Sequence, residues 1–435
     1  MSAVTSSRSV CLVSLGCSKN LVDSEVMVGH LARAGLDLVT DPDDADLVVV
    51  NTCGFIDAAR EESVDTILEY AELKQQGVIR GLVVTGCLVQ LHAVELGEQI
   101  PEVDAFLPLS DYSGVPSIVK AVLGDGEQVP DSPGGGLVGA EVVPAPFDGA
   151  SSDVAGGAAK GADSDLGRSL LTPVHTAYLR LGEGCNHVCA FCAIPRIRGR
   201  LSSKPMDVLL EEATALAALG TRELTLVAED TTDYGKDLGA GYGLAELLEG
   251  LGGVAGIEWV RVMYAHPATF DDRLAEVMAA VPNVVPHLDM PIQHGDAEVL
   301  RAMRRGTNPD RIRDIVARVR SRIPELTLRT TILTGFPGET AAAHANLMEL
   351  LRDLRVDRVG CFVYSSEEGT EGAGLPGGVP RELAEARRDE VMTLARTVLE
   401  SANQARIGGT ETVLVDAVGE LAGVAAEAIL PHLDN

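Results

Sequence analysis

Near its start the chain runs three times from a short apolar stretch into a cysteine. The stretches are Cys11-Leu12-Val13-Ser14-Leu15-Gly16-Cys17, Leu47-Val48-Val49-Val50-Asn51-Thr52-Cys53 and Leu82-Val83-Val84-Thr85-Gly86-Cys87. Runs this apolar, flanked by helical pattern, read as parallel strands buried on both faces. Val22–Ala34 and Ala58–Lys74 supply helices between them. Alternating strands and helices build a doubly wound parallel sheet, which binds ligands beyond the carboxyl ends of its strands. All three cysteines fall on that edge. One alone would read as a small buried hydrophobe. Three in equivalent places point to a metal site with three thiolate ligands.

A second constellation is Gly184-Cys185-Asn186-His187-Val188-Cys189-Ala190-Phe191-Cys192, a C-x-x-x-C-x-x-C run. Three thiolates this close can hold three irons of a cubane cluster and leave the fourth iron open to a substrate. A zinc knuckle with His187 as fourth ligand is the alternative. Zinc pairs, however, usually run C-x-x-C and come with a second pair. Cys11 and Cys361 lie within apolar runs and read as core residues. Residues 1–10 lack the apolar core of a secretory leader, and runs such as Leu47–Val50 are far too short to cross a bilayer. A chain of 435 residues does not need disulfides to hold its core. The expectation is a cytoplasmic protein with no membrane partner.

The sheet domain is expected over 8–123, continuing through Val103-Asp104-Ala105-Phe106-Leu107 and a helix near Gly114–Leu123. Residues 124–171 are rich in Gly, Pro, Ser, Ala and Asp and read as a linker. A second domain is expected over 172–406. Its strands are Ala177–Leu181, Leu224–Ala228, Trp259–Tyr264, Val284–Leu288, Thr327–Leu333 and Arg358–Tyr364. Its helices are Met206–Ala218, Leu244–Leu251, Arg273–Ala280, Ala297–Met303, Ile312–Arg322, Ala341–Leu354 and Arg381–Arg406. Six βα units suggest an open or partial parallel barrel, whose chemistry sits on the loops after its strands. The Cys185–Cys192 run follows the first strand, as that rule requires. The tail, 407–435, offers one strand, Thr412–Asp416, and is too short to bury a core of its own.

Lys+Arg total 35 and Asp+Glu total 64, a net charge of −29. That field opposes nucleic-acid binding at long range and attracts a basic protein. Arg196-Ile197-Arg198-Gly199-Arg200 stands against it as a local basic patch.

By its motifs the chain resembles the methylthiotransferase branch of the radical S-adenosylmethionine (SAM) enzymes, and within it the ribosomal-protein (RimO) type. The residues that carry the resemblance are Ser14-Leu15-Gly16-Cys17-Ser18-Lys19-Asn20-Leu21-Val22-Asp23-Ser24-Glu25 and the cluster loop through Pro195-Arg196-Ile197-Arg198-Gly199-Arg200. Asp230-Thr231-Thr232-Asp233-Tyr234-Gly235, Met290-Pro291-Ile292-Gln293-His294-Gly295, Gly335-Phe336-Pro337-Gly338-Glu339-Thr340 and Tyr364-Ser365-Ser366-Glu367-Glu368-Gly369-Thr370 belong with them. The similarity spans roughly residues 8–410.

The resemblance implies an α/β chain with two 4Fe-4S clusters, SAM as cofactor, and no catalytic residues beyond the cluster ligands. Cys185, Cys189 and Cys192 would hold the SAM-binding cluster. Cys17, Cys53 and Cys87 would hold an auxiliary cluster that carries the sulfur to be inserted. Phe191, Glu229, Asp230 and Gly335 would lie against SAM. The bland readings of the last two are a helix cap and a turn glycine. The implied reaction adds a methylthio group to the β-carbon of an aspartate of small-subunit ribosomal protein S-twelve, with an electron donor and a sulfur donor as further partners. Alternatives are a tRNA adenosine methylthiotransferase, and a non-catalytic iron–sulfur protein or disabled paralogue. Relatives often carry Gln where Glu229 stands and Arg where Lys204 stands, and they end in a small β-barrel (TRAM) domain. Here Thr412–Asp416 reads as the start of an incomplete, truncated TRAM-like segment.

Overall fold

The computed structural model describes residues 8–109, 112–124, 136–137 and 164–416. Two compact units emerge. The first is built on a parallel sheet of β1 (Ser9–Ser14), β2 (Asp37–Val39), β3 (Leu47–Thr52), β4 (Gly81–Gly86), β5 (Ala105–Leu107) and β6 (Gly136–Leu137). Their order across the sheet is β2-β1-β3-β4-β5-β6. Helices α1 (Ser18–Arg33), α2 (Asp57–Gln75), α3 (Cys87–Gln99) and α4 (Val115–Val122) lie between strands in the chain. Both central strands are buried along their whole length. Their side chains alternate between two cores. Val48, Val50, Leu82 and Val84 pack with Ile67 and Phe106, while Leu47, Val49 and Val83 pack with Met27, Leu31 and Ile118. A period of two with both faces covered is why the sequence shows continuous apolar runs.

Glu183–Cys185 and residues 194–200, including α5 (Ile194–Arg198), also belong to this unit. Within the expected basic patch the Arg198 side chain is buried and paired with Asp23 and Glu183, Arg196 is half-buried and Arg200 is exposed.

The second unit carries six parallel strands in chain order. Strands β7 (Thr176–Arg180), β10 (Glu223–Val227) and β11 (Trp259–Val262) form one sheet. Strands β12 (His287–Asp289), β13 (Thr327–Thr334) and β14 (Arg358–Val363) form another. A parallel bridge from Val260 to Val284 lies between them. The two-residue strands β8 (Gly182–Glu183) and β9 (Ser202–Ser203) flank the cysteine loop in sequence. The helices are α6 (Met206–Leu219), α7 (Leu244–Leu251), α8 (Asp272–Ala280), α9 (Ala297–Ala302), α10 (Pro309–Arg322), α11 (Ala341–Leu354) and α12 (Arg381–Arg406). Asp271, Asp296, Asn308 and Thr340 cap α8 to α11 with side-chain oxygens, which satisfies first-turn amides. This is the partial barrel expected from six βα units.

Several boundaries differ from the sequence reading. The third apolar run ends at Gly86, and Cys87 opens α3. The strand expected at Val284–Leu288 reduces to His287–Asp289, because Pro286 has no N–H to give a ladder. Part of the expected linker is structured. Gly136–Leu137 extend the sheet, and Ser169 N–H donates to the Glu25 carbonyl. The Leu171 amide donates to the Glu25 carboxylate at 3.0 Å. The rest of that linker, 125–135 and 138–163, lies outside the described residues. The strand expected at Thr412–Asp416 is absent: these residues form no ladder, and Val413 and Val415 face solvent. The remainder of the TRAM-like tail, 417–435, also lies outside the described residues. No described helix is long and apolar enough to cross a membrane.

Candidate metal centres and cofactor site

In the first unit the three strand-end cysteines converge. Cys17 is the N-cap of α1, Cys53 follows β3, and Cys87 begins α3. Each has a glycine beside it in sequence, and each glycine permits a close approach. A Cβ on Gly16 would lie 2.9 Å from Cys53 Sγ, one on Gly54 2.9 Å from Leu88 Cα, and one on Gly86 2.3 Å from the Thr52 carbonyl oxygen. Ser63 of α2 holds Cys53 from both sides, accepting its N–H at 3.0 Å and donating to its carbonyl at 2.9 Å. Burial pushes the Cys87 thiol up to about 12, Arg198 pulls it down, and the neighbouring Cys17 and Cys53 push it up again. Burial also raises Cys53. Three thiols that sense one another on a sheet edge fit a metal cluster, which binds them as thiolates and displaces their protons.

A polar network that the sequence reading passed over supports this edge. Asn20 donates to the Leu15 and Thr52 carbonyls at 2.7 and 3.0 Å, and its Oδ1 lies 3.8 Å from Cys87 Sγ. Asn51 donates to the Asn20 carbonyl and to Ser24 Oγ, both at 2.9 Å. Lys19, Asn20, Asp23, Ser24 and Glu25 are all buried. The available signal was in α1 itself, where a run of polar residues interrupts an otherwise core-facing helix. Arg198 joins the network with Nη2 2.7 Å from Asp23, 3.3 Å from Asn20 Oδ1 and 3.8 Å from Cys87 Sγ, and with Nη1 2.8 Å from Glu183.

The C-x-x-x-C-x-x-C loop is pinned at both ends. In the first unit, Cys185 N–H donates to the Gly199 carbonyl at 3.1 Å, and Gly184 turns with φ +70 against Arg200. In the second unit, Ala190 N–H donates to Met303 at 3.0 Å and its carbonyl accepts from Gly372 at 2.6 Å. Cys192 N–H closes a turn onto the Cys189 carbonyl at 3.0 Å. Arg305 Nη1 stands 3.6 Å from Cys189 Sγ. Cys185, Cys189 and Cys192 are all partly exposed, as ligands to an accessible cluster need to be.

The carboxyl ends of the barrel strands place the other expected residues. Phe191 packs partly buried against a small core of Ala190, Val299, Met303, Phe336 and Ala343. Asp230 follows β10 and caps a single turn, accepting from Thr232 N–H at 2.8 Å, so its capping role is real. Its other oxygen meets His187 Nε2 at 2.7 Å. Burial lowers the His187 pKa, but Asp230 and Asp233 outweigh it and lift it to about 9. Its ring stacks on His266 at 4.0 Å. Burial, with Arg305 and His187 adding to it, pushes His266 down to about 2. His187, Asp230 and His266 offer ligand atoms within 4.8 Å of one another. Hydrogen bonding and ring stacking thus join the trio in one network at the barrel mouth. Glu229 lies beside Asp230 at the same strand end. Gly335 follows β13 with φ +84, and a Cβ there would lie 2.5 Å from Ala384 Cβ. Its N–H donates to Glu339, so it is also a turn glycine. Cys11 is core, as expected, whereas Cys361 on β14 is only half-buried.

Two family models match the chain: the uncharacterized protein family UPF0004 over residues 9–108 and the radical SAM superfamily over residues 179–351. A ribosomal protein uS12 methylthiotransferase RimO from Anaeromyxobacter sp. (strain K) is 46% identical over 411 residues, covering 94% of this chain and 82% of the relative. The protein of the same name from Clostridioides difficile (strain 630) is 39% identical over 407 residues, covering 94% and 86%. Among solved structures, the radical SAM methyltransferase TsrM from Kitasatospora setae superposes with a TM-score of 0.56 at 15% identity, covering 82% of this chain and 73% of that one. The cobalamin-dependent radical SAM enzyme OxsB superposes at 0.52 with 12% identity, covering 91% and 56%. At such identities these two likenesses concern the fold alone.

Proposed function

The chain belongs to the ribosomal protein uS12 methylthiotransferase family of radical SAM enzymes, and from that membership we propose that it replaces a hydrogen on the β-carbon of an aspartate of uS12 with a methylthio group. Its cofactors are SAM and 4Fe-4S clusters. We assign one cluster to Cys185, Cys189 and Cys192 and the other to Cys17, Cys53 and Cys87. When bound, these groups supply a carbon radical able to take hydrogen from an unactivated C–H bond, and the sulfur that replaces it.

The chain's own residues have three tasks in this reading. The glycines beside Cys17, Cys53 and Cys87 let the three strand ends come together. Ser63, Asn20 and Asn51 fix that edge by hydrogen bonds to backbone carbonyls and amides. Phe191, Glu229, Asp230 and Gly335, all at strand ends of the barrel or on its cysteine loop, are the groups against which SAM would lie. Asp230 is held by Thr232 and His187, so its carboxylate is oriented before any ligand arrives. A net charge of −29 suits a basic ribosomal protein better than a tRNA. A ribosomal substrate implies action in the cytoplasm, with a low-potential electron donor and a sulfide source as further partners.

The observation that carries the reading is the convergence of Cys17, Cys53 and Cys87 in a chain that also holds the C-x-x-x-C-x-x-C loop after β7. The test is incubation of the iron-loaded protein with SAM, dithionite, sulfide and purified uS12. Intact-mass analysis should show a gain of about 46 Da on one aspartate, the exchange of hydrogen for a methylthio group. Unmodified uS12 alongside methylthiolated tRNA adenosine would overturn it.

A further inference from the structure

On β13 the side chains alternate. Leu328, Thr330 and Ile332 are buried, and Thr334 Oγ1, on the same side, donates to the Ala384 carbonyl of α12 at 2.9 Å. Arg329, Thr331 and Leu333 take the other face and are partly exposed. Strand pairing builds three rows on that face. Arg329 stands between Asp289 of β12 and Arg358 of β14, Thr331 stands beside Gly360, and Leu333 beside Phe362. Leu333 packs against the small core that holds Ala190 of the cysteine loop. The arginine row thus lies about 13 Å along the strand from Leu333. The row between them is small, and a Cβ on Gly360 would meet only the Phe362 ring, at 3.5 Å.

Like charges directly opposite on neighbouring strands are destabilising, yet one carboxylate serves both arginines. Asp289 Oδ2 accepts from Arg329 Nη1 at 3.0 Å and from the Tyr264 amide at 3.3 Å, while its Oδ1 is buried without a hydrogen-bond partner. Among the described residues the Arg329 guanidinium makes no other hydrogen bond or ion pair, and the Arg358 guanidinium makes none. Arg261 of β11 is matched by Glu223 at 2.8 Å. Burial, with Arg261, Arg329 and Arg358 adding to it, pushes His287 down to about 3, so it is neutral at pH 7. In a chain of net charge −29, this face keeps an arginine with no counter-charge among the described residues.

We propose that Arg329 and Arg358 receive the side-chain carboxylate of the substrate aspartate. The proposal rests on the uS12 reading above and adds the residues that select its aspartate. A carboxylate is the anion that guanidinium donors match best in geometry. Its carbon is bonded directly to the β-carbon, so holding both oxygens fixes how the β-hydrogens are presented. An asparagine in its place would bring no charge and would turn amide donors toward arginine donors. The arginines make and break no bond; they bind and orient. SAM carries a carboxylate of its own, and the experiment separates the two sources.

The test is calorimetric titration of the iron-loaded full chain with uS12, in the presence of SAM and without a reductant, so that binding is read without chemistry. Two forms of uS12 are compared, one natural and one with asparagine in place of the modified aspartate. Wild-type protein should bind the aspartate form about tenfold more tightly. Arg358→Gln should bring that preference within about threefold, and Arg358→Lys, which keeps the charge, should restore most of it. Arg329→Gln should act in the same direction, but it strands the buried Asp289. Arg358→Gln strands no partner among the described residues, so it decides. A wild type without preference, or a preference unmoved in Arg358→Gln, overturns the inference. Weakened SAM binding in Arg358→Gln with the aspartate preference intact assigns the site to the SAM carboxylate and also overturns it. The function itself is read separately, by methylthiolation of natural uS12 by wild-type protein under dithionite. A wild type that methylthiolates uS12 while Arg358→Gln keeps the preference overturns the inference alone; a wild type that leaves uS12 unmodified overturns the reading it rests on, and the inference with it.

Discussion

Lys204 places its ammonium 2.9 Å from both carboxylate oxygens of Glu212, and both side chains are closed off from solvent. The pair ties the segment after β9 to α6. A buried ion pair adds little over a well-packed apolar pair, but removing one partner strands the other charge. Glu212→Ala should therefore cost about 3–5 kcal/mol, read as a lower urea midpoint at unchanged slope. Lys204→Arg keeps the charge and should lose far less. A Glu212→Ala loss below about 1 kcal/mol, the range of an exposed pair, would show that water reaches this site.

Glu339 gives the second unit a specific acid sensitivity. Burial alone would raise its pKa, but His294, His344 and the Gly335 amide outweigh burial and bring it down to about 2. Arg387 adds a cation at 3.4 Å. A carboxylate with a depressed folded pKa stabilises the fold above its unfolded pKa, near 4.5, and that stabilisation fades as pH falls toward 2. Its size is roughly 3 kcal/mol. Glu339→Gln should lose most of this at pH 7, and the gap between variant and wild type should close between roughly pH 4.5 and 2. Urea midpoints across that range are the measurement. A gap that stays constant with pH would mean that packing, not charge, sets the effect.

Continuous apolar runs made the central strands legible, because β3 and β4 are buried on both faces and periodicity alone locates them. The barrel helices were legible for a different reason, since α7 keeps an apolar stripe between clear stops, and α11 and α12 keep one broken among their buried residues only by His344 and Arg387. What escaped was set by long-range partners. The first-unit role of Arg198 depends on Asp23, far away in sequence, so the sequence there shows a local basic patch and not the buried pair within it. Residues 164–171 look like linker by composition, yet Glu25 gathers Arg168, Ser169 and Leu171. Thr412–Asp416 has strand composition but no neighbouring strand to pair with among the described residues, and composition cannot supply one. The cysteines of both sites were legible because their spacing and strand-end positions are local. The buried Asn20, Asn51 and Ser63 that steady one of those sites carry no spacing signal.

Gly86 should be the least replaceable residue near the first cysteine set. Its φ is +104, and a Cβ would lie 2.3 Å from the Thr52 carbonyl oxygen and 2.5 Å from the Thr52 nitrogen, both backbone atoms of β3. Neither can step aside without opening the β3–β4 ladder. Gly86→Ala should cost on the order of 3 kcal/mol and displace Cys87. The variant should load roughly half the wild-type iron after anaerobic reconstitution. Gly35→Ala is the control, because φ is also positive there but a Cβ would meet nothing within 4 Å. Equal iron in both variants would show that the close approach at Gly86 does not shape the site.

Removal of each cysteine set should divide the iron cleanly. Wild-type protein reconstituted under anaerobic conditions should bind about eight irons, from two four-iron cubanes. The set Cys17, Cys53 and Cys87 converges within the first unit, so its replacement by Ala should remove about half the iron and leave the other cluster in place. SAM cleavage under dithionite should then persist, because the loop that would bind SAM is intact. Replacing Cys185, Cys189 and Cys192 should also remove about half the iron, but with loss of SAM cleavage. The ratio matters more than the total, since incomplete loading lowers both sites together. Zinc in place of iron, or a triple variant that keeps its full complement of iron, would sink the assignment of that set.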